Sequence, residues 1–433
     1  MLNNPLPLRD NEEVLIVGGG LIGVTLLYVL TQQGVPARLF ELHDALANET
    51  SFANGGMLTP SMPEPWNSPG VWKHLLSSLF EPTSAMKLRL KAIPSLTGWG
   101  LTFLSKSNTT HYMNSSLANL KLAAYSTELT TQLQSTLGFN CDYSKGGSLK
   151  VFSDAKSYNS ALSSLTMLRE NGLEVKELDA KQSVVLEPQL ESFSSNIVGS
   201  LYYPDDRRGD ARKFTQQLAE HAKALGAQVH LNTKVKKLVL QDRKVLGIET
   251  REGQFYKGQV VIANGYSAPE IAKQAGIHLP IKPVKGYSLT IDASALGDLI
   301  PKVPVIDDAM HAAVVPLGSS LRAVGTAEFT NLDRKQSKAR VNNLGQLLRR
   351  LYPSIHSQLD VKSGEQWAGF RPMSADGKPF IGQSPVPGLW LNCGHGHLGW
   401  TKALGSAHIL VDTMLGNTPE IASQPFSYGF RDT

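Results

Sequence analysis

The fold class of this chain is decided by one stretch near its start, Val14-Leu15-Ile16-Val17-Gly18-Gly19-Gly20-Leu21-Ile22-Gly23. Four apolar residues predict a buried strand, and the G-x-G-x-x-G spacing that follows is typical of a turn leading into a helix. Gly18 permits a tight turn, Gly20 lets a pyrophosphate approach the backbone, and Gly23 lets the helix pack closely on the strand. The N-terminus of such a helix favours an anion.

The residues after the glycine turn complete a strand–helix–strand unit. Apolar residues 21–30 predict a buried helix that ends at Gly34, and residues 37–40 predict a second strand. Glu41 then stands about twenty residues past the turn, where a carboxylate can accept hydrogen bonds from a ribose diol. The unit therefore predicts dinucleotide binding, with either NAD or the ADP half of FAD as the ligand.

The composition excludes several classes of protein. With 433 residues, 41% hydrophobic and 18% charged, the chain is expected to fold into about two or three domains. The formal net charge is +5 and Lys and Arg form no dense cluster, so we expect no nucleic-acid partner. Cys141 and Cys393 are far apart and lack metal-ligand spacing, so we expect neither a disulfide framework nor a metal site.

The expected location is cytoplasmic. Residues 1–13 have no apolar h-region, which predicts the absence of a signal peptide, and unpaired cysteines fit a reducing compartment. The uncharged residues 14–30 contain the glycine turn, so they predict a buried strand and helix rather than a membrane span. The basic amphipathic residues 71–107 leave a second interpretation open, in which this segment docks peripherally on the inner membrane or on a partner protein.

The rest of the chain predicts a mixed α/β and α+β architecture. Helices are expected at 114–137 and 158–171, and residues 259–263 predict a buried strand of the nucleotide-binding sheet. Short strands within 280–291 and 303–325 predict a separate antiparallel sheet. A second glycine-rich turn precedes a closing helix at 400–415, with the sequence Gly394-His395-Gly396-His397-Leu398-Gly399.

Four sequence blocks together resemble a known family. They are residues 14–23, 51–60, 391–406, and Trp367-Ala368-Gly369-Phe370-Arg371-Pro372-Met373 with Asp376-Gly377. The chain is similar to the FAD-dependent amine and amino-acid oxidoreductases, which include glycine oxidase and sarcosine oxidase. Its pattern most resembles the small-subunit type of bacterial D-amino-acid dehydrogenase. The joint presence of G-F-R-P-M-x-x-D-G and N-x-G-H-G-x-L-G-W-T is far more specific than the glycine spacing alone.

This resemblance implies an FAD-binding, doubly wound Rossmann-like domain beside a substrate domain built on an antiparallel sheet plus helices. The FAD-binding domain is expected at 12–62, 204–275 and 362–428, and the substrate domain at 63–203 and 276–361. FAD should be bound non-covalently, because no cysteine stands between Arg371 and Gly377, where sarcosine oxidases attach their flavin. The residues expected to bind FAD are Gly18, Gly20, Gly23, Glu41, Ser51, Asn54, Gly56, Met57, Val235, Ala263, Gly265, Gly394, His395, Gly396, Leu398, Gly399, Trp400 and Thr401.

The resemblance also suggests residues that meet the substrate. Arg371 is expected to bind an α-carboxylate through two parallel hydrogen bonds, with a structural salt bridge as the alternative. Tyr287 and His311 lie in the predicted antiparallel sheet, and either could form a hydrogen bond with the substrate or serve only the core. His397 departs from the small polar residue that D-amino-acid dehydrogenases usually carry, which bears on the size of the substrate.

The reaction implied by the resemblance is oxidative deamination of an amino acid, with a D-amino acid as the expected substrate. A hydride would pass from the α-carbon to flavin N5, and the imino acid would hydrolyse to a 2-oxo acid and ammonia. The electrons would go on to a quinone, an electron-transfer partner or oxygen. The alternatives are a glycine- or sarcosine-type oxidase, a cyanide-forming glycine dehydrogenase subunit, a flavin-binding electron-transfer subunit of a hetero-oligomer, and an NAD-binding module.

Overall fold

A computed structural model of the protein describes residues 12–73 and 86–431. The prediction about a signal peptide falls almost wholly on residues 1–11, outside the described residues. The predicted amphipathic segment 71–107 is described only in part, because residues 74–85 also lie outside. Its described portion contains the helix Ile93–Ser105, which buries Leu96, Trp99 and Phe103.

The predicted strand–turn–helix unit lies in the middle of a six-stranded sheet. Val14–Val17 pairs in parallel with Ala37–Phe40 on one side and with Gln259–Ile262 on the other. The carboxyl ends of these parallel strands therefore meet at one edge of the sheet, as predicted. The full strand order is Phe380–Gln383, Leu389–Cys393, Gln259–Ile262, Val14–Val17, Ala37–Phe40 and Gln228–His230, with only the first strand antiparallel to its neighbour.

Alternate residues of the central strand serve two different cores, because successive side chains of a strand point to opposite faces. Val14 and Ile16 belong to a core formed with the helices Leu21–Gln32, Ala211–Ala224 and Gly399–Leu415. Leu15 and Val17 belong to a second core on the other face. That core also contains residues of a small antiparallel sheet, whose strands are Val235–Gln241, Lys244–Thr250 and Phe255–Lys257.

The second large sheet has nine strands and contains the predicted antiparallel region. Eight of its strands follow one path and the ninth branches from it, and most neighbouring pairs are antiparallel. Its path is Glu365–Ser374, Ile281–Asp292, Ser320–Phe329, Ala312–Leu317, Val305–Asp307, Ser148–Phe152, Gly199–Tyr203 and Lys176–Leu178, with Met86–Leu88 pairing to Ser320–Phe329. The sequence predicted the central strands of this sheet and also strands at 147–152 and 199–204, but not that these two strands extend the same sheet.

Helix bounds differ from the predictions where capping residues intervene. The helix expected at 114–137 spans Thr109–Leu137, because the Asn108 side chain accepts a hydrogen bond from the His111 backbone N–H and caps an earlier start. The helix expected at 158–171 is two helices, Ala155–Ser163 and Leu165–Glu170. The remaining described helices are Ala180–Leu186, Ala268–Ala272, Lys338–Leu351 and Pro353–His356.

Strand pairing bears on the predicted division into domains. Glu365–Ser374 pairs along its whole length with Ile281–Asp292 in the nine-stranded sheet, although the sequence assigned residues 362–428 to the FAD-binding domain. We therefore propose that this boundary lies after Ser374. Both cysteines are free and buried, and no helix in the described ranges is both long and apolar enough to cross a bilayer.

Candidate active site

A cavity of about 1450 Å³ opens at the carboxyl edge of the parallel sheet and is also lined by the nine-stranded sheet. It brings together residues from distant parts of the sequence. The predicted site residues on its wall are Gly18, Gly20, Glu41, Ser51, Asn54, Met57, Val235, Ala263, Gly265, Tyr287, His311, Arg371, His395, Gly396, Leu398, Gly399 and Trp400.

The first glycine turn needs its glycines for two different reasons. Gly18 has φ +116°, and a Cβ there would lie 2.7 Å from the Asn264 Cα in the neighbouring turn. A Cβ on Gly23 would lie 1.9 Å from the Gly18 carbonyl oxygen, so only glycine allows the helix to start so close to the strand. Gly20 is different, because its nearest neighbour would be the Ser51 Oγ at 3.5 Å. A side chain there would occupy the cavity rather than clash with the backbone.

Two side chains fix the start of the helix Leu21–Gln32. Ser51 Oγ accepts a hydrogen bond from the Leu21 backbone N–H at 3.1 Å. The Glu41 carboxylate accepts from the backbone N–H of Gly19 at 2.6 Å and of His43 at 2.9 Å. Glu41 is thus bound to the glycine turn while it lines the cavity, and its predicted contact with a ribose stays a prediction.

The second glycine turn brings two neutral imidazoles to the cavity. His395 Nε2 lies 3.0 Å from Ser406 Oγ, and burial with the nearby Lys402 charge lowers the pKa of His395 to about 3. His397 stacks on Trp66, with ring centroids 5.3 Å apart. Burial and the charges of Lys402 and Arg371 lower its pKa to about 3 as well. Both rings are therefore uncharged near neutral pH.

Buried polar atoms on the wall test whether this cavity fits a dinucleotide. Within the described ranges, Asn264 Oδ1, His395 Nδ1 and Trp400 Nε1 are buried without a protein hydrogen-bond partner. Such atoms are rare in folded proteins unless a ligand or water satisfies them. Together with the open face of Gly20 and a helix N-terminus, they fit a long polar ligand lying from one glycine turn to the other.

Arg371 is the guanidinium expected to bind the substrate. Its Nη1 donates to the Thr326 carbonyl at 2.9 Å, and its Cζ lies 5.7 Å from the centre of the Trp66 ring. Among the residues that the structure describes, no carboxylate forms an ion pair with it, and burial alone lowers its pKa to about 10. Gly286 makes room for it, because a Cβ there would lie 2.4 Å from Arg371 Nη1. The structural salt bridge considered above is therefore absent from the described ranges.

The other two predicted substrate contacts have different surroundings. The Tyr287 hydroxyl donates to Glu328 Oε2 at 2.6 Å, and Glu328 also pairs with Arg89. His311 lies exposed on the cavity wall with φ +44°, and its backbone N–H donates to the Asp308 carbonyl at 3.2 Å. The Tyr287 hydroxyl thus forms its hydrogen bond with Glu328. A role in substrate binding stays a prediction for Tyr287 and for His311.

Four predicted FAD contacts shape the cavity from behind its wall, and their direct contact with FAD stays a prediction. Gly56 has φ +64° and donates its backbone N–H to Asn54 Oδ1 at 2.9 Å. Thr401 Oγ1 accepts from the Thr59 backbone N–H at 3.0 Å. Gly394 has φ +78° where a Cβ would lie 3.1 Å from Ile281 Cδ1, and the fourth residue is Gly23.

Comparison with known proteins gives the family. The sequence pattern of the family described as "FAD dependent oxidoreductase" matches residues 13–413. The chain belongs to this family. It is 34% identical to a D-amino acid dehydrogenase of Cereibacter sphaeroides, covering 95% of this chain and 93% of that one. It is 32% identical to a D-amino acid dehydrogenase of Vibrio atlanticus, covering 96% and 99%.

The fold is shared with solved structures of the same kind. Glycine oxidase from Bacillus cereus superposes with a TM-score of 0.72 at 20% identity, covering 94% of this chain and 95% of that chain. The predictions of an FAD-dependent oxidoreductase and of a Rossmann-like domain beside a second sheet are confirmed. The match to an FAD-dependent family argues against the alternative of an NAD-binding module. Neither cysteine lines the cavity, and the non-covalent binding of FAD stays a prediction.

Sequence reasoning missed several charged and aromatic residues of this FAD enzyme. Glu64 and Trp66 line the cavity from the proline-containing loop after residue 58, which by composition could equally have been a solvent loop. Lys402 is 2% exposed and donates from Nζ to Asn119 Oδ1 at 2.9 Å. Burial lowers its pKa to about 7, although Asp376 opposes the change. For Lys402 the sequence signal is a charged residue within the largely apolar residues 398–411, whereas the loop of Glu64 and Trp66 offers none.

Proposed function

We propose that this chain is a D-amino acid dehydrogenase, which oxidises the Cα–N bond of a D-amino acid to an imino acid. The observation that carries the proposal is Arg371, a partly buried guanidinium on the cavity wall that no carboxylate of the described chain neutralises. A buried cation without a counter-ion is costly unless a ligand supplies the negative charge. An α-carboxylate suits it, because it can accept two parallel hydrogen bonds from a guanidinium.

FAD would be held by the two glycine turns, with Gly18, Gly20 and Ser51 at one and residues 394–399 at the other. Bound FAD supplies the acceptor for the two electrons that leave the substrate. Arg371 would fix the carboxylate, so that the α-hydrogen is held toward the flavin. Holding the two reacting atoms in place in this way lowers the entropic part of the barrier. Arg371 would therefore position the α-carbon of the substrate.

The residues around Arg371 also bear on protons. His395 and His397 stay neutral near pH 7, because their pKa values are lowered to about 3. They therefore add no positive charge that would repel the amino group of the substrate. An amine that binds unprotonated needs no dedicated general base. The α-hydrogen leaves with both electrons, one proton leaves the amine, and water then hydrolyses the imino acid to a 2-oxo acid and ammonia.

The names of the relatives support D-amino acids and an acceptor other than oxygen. Two relatives that cover almost the whole chain are named dehydrogenases rather than oxidases. We accordingly propose that electrons leave the flavin for a quinone or an electron-transfer partner. The proposed location is cytoplasmic or peripheral on the inner membrane, where such acceptors are found.

Anaerobic reduction of the bound flavin by a panel of D- and L-amino acids, glycine and sarcosine tests this function. The expected result is bleaching of the visible flavin absorption band, about tenfold or more faster with D- than with L-amino acids. Reduction by glycine or sarcosine alone, with peroxide formed in air, would instead assign an oxidase of small amines. A protein that binds FAD and is reduced by none of them would be an electron-transfer subunit.

Replacement of Arg371 by Leu tests the residue that carries the proposal. The expected result is a loss of kcat/KM of about 30-fold or more, because truncating one member of a buried charge pair costs at least about 2 kcal/mol. FAD content should stay unchanged. Arg169→Leu is the matched control, since Arg169 pairs with Glu177 at the surface and its loss should leave kcat/KM unaltered. Full activity of the Arg371→Leu protein would remove the carboxylate site from the proposal.

A further inference from the structure

A second charged group faces the same cavity as Arg371, and the proposed mechanism does not use it. We infer that Glu64 forms a subsite for a cationic side chain, so that the preferred substrates are amino acids that end in an ammonium or guanidinium group. This inference rests on the proposed function, because it takes Arg371 as the site of the α-carboxylate. The inference adds which chemical class of substrate side chain the site prefers.

The loop 59–66 carries both Glu64 and Trp66, the aromatic residue beside the Arg371 guanidinium. Trp66 contacts the Arg371 guanidinium, with 5.7 Å between Cζ and the ring centre. Glu64 precedes Trp66 by two residues, which can separate their backbones by no more than about 7 Å. All three residues line one continuous cavity. An extended amino acid lying along this wall would place its carboxylate at Arg371 and direct its side chain toward Glu64.

Glu64 has no partner that would neutralise it. Within residues 12–73 and 86–431, no ion pair includes its carboxylate. Lys150 is the cation that acts on it, but Lys150 Nζ pairs with Asp308 at 2.8 Å. Burial raises the pKa of Glu64, and the hydrogen bond from its own backbone N–H and the Lys150 charge oppose this only in part. A cationic ligand at this position would supply the missing counter-charge.

The wall around Glu64 suits a long side chain with a charged end. Tyr112 and Tyr203 line the cavity there, and burial together with the Glu64 charge raises the pKa of both phenols, which stay neutral. Asp206 adds to the shift at Tyr203. Leu165 and Leu168, from the helix Leu165–Glu170, contribute aliphatic surface. Methylene groups of a lysine or arginine side chain can pack on such surface while the cation reaches an acid and aromatic rings.

The same arrangement predicts which side chains are rejected. An acidic side chain would place a second negative charge beside Glu64, and such juxtaposition of like charges opposes binding. A neutral side chain of equal length would fill the aliphatic surface but leave Glu64 unpaired. The expected order of preference is therefore cationic, then neutral, then acidic.

The test uses the FAD-loaded full chain and compares D-lysine and D-arginine with D-norleucine, D-alanine and D-glutamate. In wild type, D-lysine should reach half-maximal flavin reduction at a concentration about 30-fold or more below that of D-norleucine. Glu64→Gln should remove that difference, because the constant for D-lysine should rise far more than the constants for D-norleucine and D-alanine change. Glu174→Gln is the control, because Glu174 is an exposed acid that pairs with Lys176.

Binding without turnover gives an independent reading. Hexanoate and 6-aminohexanoate both carry the carboxylate but lack the α-amino group, so they can perturb the flavin spectrum without reducing it. We expect 6-aminohexanoate to bind more tightly to wild type and the two ligands to bind equally to Glu64→Gln. Glu64→Asp keeps the charge and should keep the preference, which covers the case in which the Gln variant loses FAD.

Several outcomes would overturn the subsite. One is a wild-type enzyme that shows no preference for D-lysine over D-norleucine. Another is a Glu64→Gln protein in which the concentration for half-maximal flavin reduction rises equally for cationic and neutral substrates. Glu64 would then only maintain the shape of the cavity. A change only in the KM for a quinone acceptor would assign it to the acceptor. Failure of every amino acid to reduce wild type would instead reject the proposed function itself.

Discussion

The two walls of the cavity are built from different parts of the polypeptide. On the parallel-sheet side, backbone groups and glycines form the surface, and we call it the backbone wall. At Gly18, for example, a Cβ would lie 2.7 Å from the Asn264 Cα. On the nine-stranded-sheet side and in the loop 59–66, polar and charged side chains form the surface, and we call it the side-chain wall. Here Arg371 donates to the Thr326 carbonyl and the Tyr287 hydroxyl donates to Glu328. The first wall suits a cofactor common to the whole family, whereas the second can change with the substrate.

This difference predicts how each wall responds to substitution. A backbone wall should fail completely when a side chain intrudes, and its backbone groups do not titrate. A side-chain wall should lose one function at a time and should respond to pH. Three experiments, in addition to those on Arg371 and Glu64, test the contrast.

The largest effect is expected from Gly23→Ala on the backbone wall. Its Cβ would lie 1.9 Å from the Gly18 carbonyl oxygen, so the turn and the helix must separate. We expect loss of bound FAD and a fall in Tm, because overpacking against backbone costs about 1–3 kcal/mol or more. Flavin absorbance per protein and thermal unfolding measure both.

Gly98→Ala is the control for Gly23→Ala. Gly98 lies within the helix Ile93–Ser105, and a Cβ there would meet nothing within 4 Å. Alanine in a helix interior is favoured over glycine by about 0.5–1 kcal/mol, so this variant should keep FAD and unfold at an equal or higher temperature. A Gly23→Ala protein with normal FAD content would contradict the idea of a rigid backbone wall.

A smaller, pH-dependent effect is expected from Asp206→Asn beside the side-chain wall. Asp206 is buried and accepts hydrogen bonds from Ser61 Oγ at 2.8 Å and Ser148 Oγ at 2.6 Å. Burial raises its pKa to about 7, although these hydrogen bonds oppose the shift. The folded protein therefore holds a proton between about pH 4 and 7 that the unfolded chain has released, so stability falls as pH rises through this interval.

Asparagine cannot ionise, so Asp206→Asn should lose less stability than wild type between pH 5 and pH 8. The difference should be on the order of a few kcal/mol at most, since each pKa unit corresponds to about 1.4 kcal/mol. Thermal unfolding of the holoenzyme at both pH values measures it. Asp298→Asn at an exposed position should leave the wild-type dependence intact. An identical pH dependence in Asp206→Asn and wild type would show that this carboxyl does not titrate as described.

The smallest effect is expected from Tyr287→Phe. The substitution removes the hydrogen bond to Glu328, but Glu328 keeps its pairing with Arg89. A hydrogen bond to a charged group contributes about 1.5–3 kcal/mol, and the remaining pair should hold the loss of stability near the lower end. Turnover should change far less than in Arg371→Leu. A large fall in kcat with unchanged Tm would instead place the Tyr287 hydroxyl on the substrate.

Tyr428→Phe is the matched control, because the Tyr428 hydroxyl donates to the His278 carbonyl at 3.2 Å near the surface. Its effect on unfolding should be smaller than that of Tyr287→Phe. Equal effects of the two variants would mean that burial beside Glu328 adds nothing to the Tyr287 hydrogen bond.

The backbone wall could be predicted almost completely from the sequence. The strands Val14–Val17 and Ala37–Phe40 have the predicted bounds. The structure adds that the turn at 263–265 lies against Gly18. Glycine spacing reports a local need of the backbone, which is the same wherever the segment lies in the fold. Arg371 could be proposed for a related reason, because it stands inside a specific motif.

The side-chain wall was decided by the tertiary structure. Glu64 and Trp66 come from a loop with no motif, and they meet Arg371 only because the loop and the strand Glu365–Ser374 line one cavity. Lys402 likewise meets Asn119 across the packing of two helices. The sequence determined by itself where the chain must bend, since that is a property of neighbouring residues. Which charges lack partners depends on groups hundreds of residues apart, and only the folded chain brings those together.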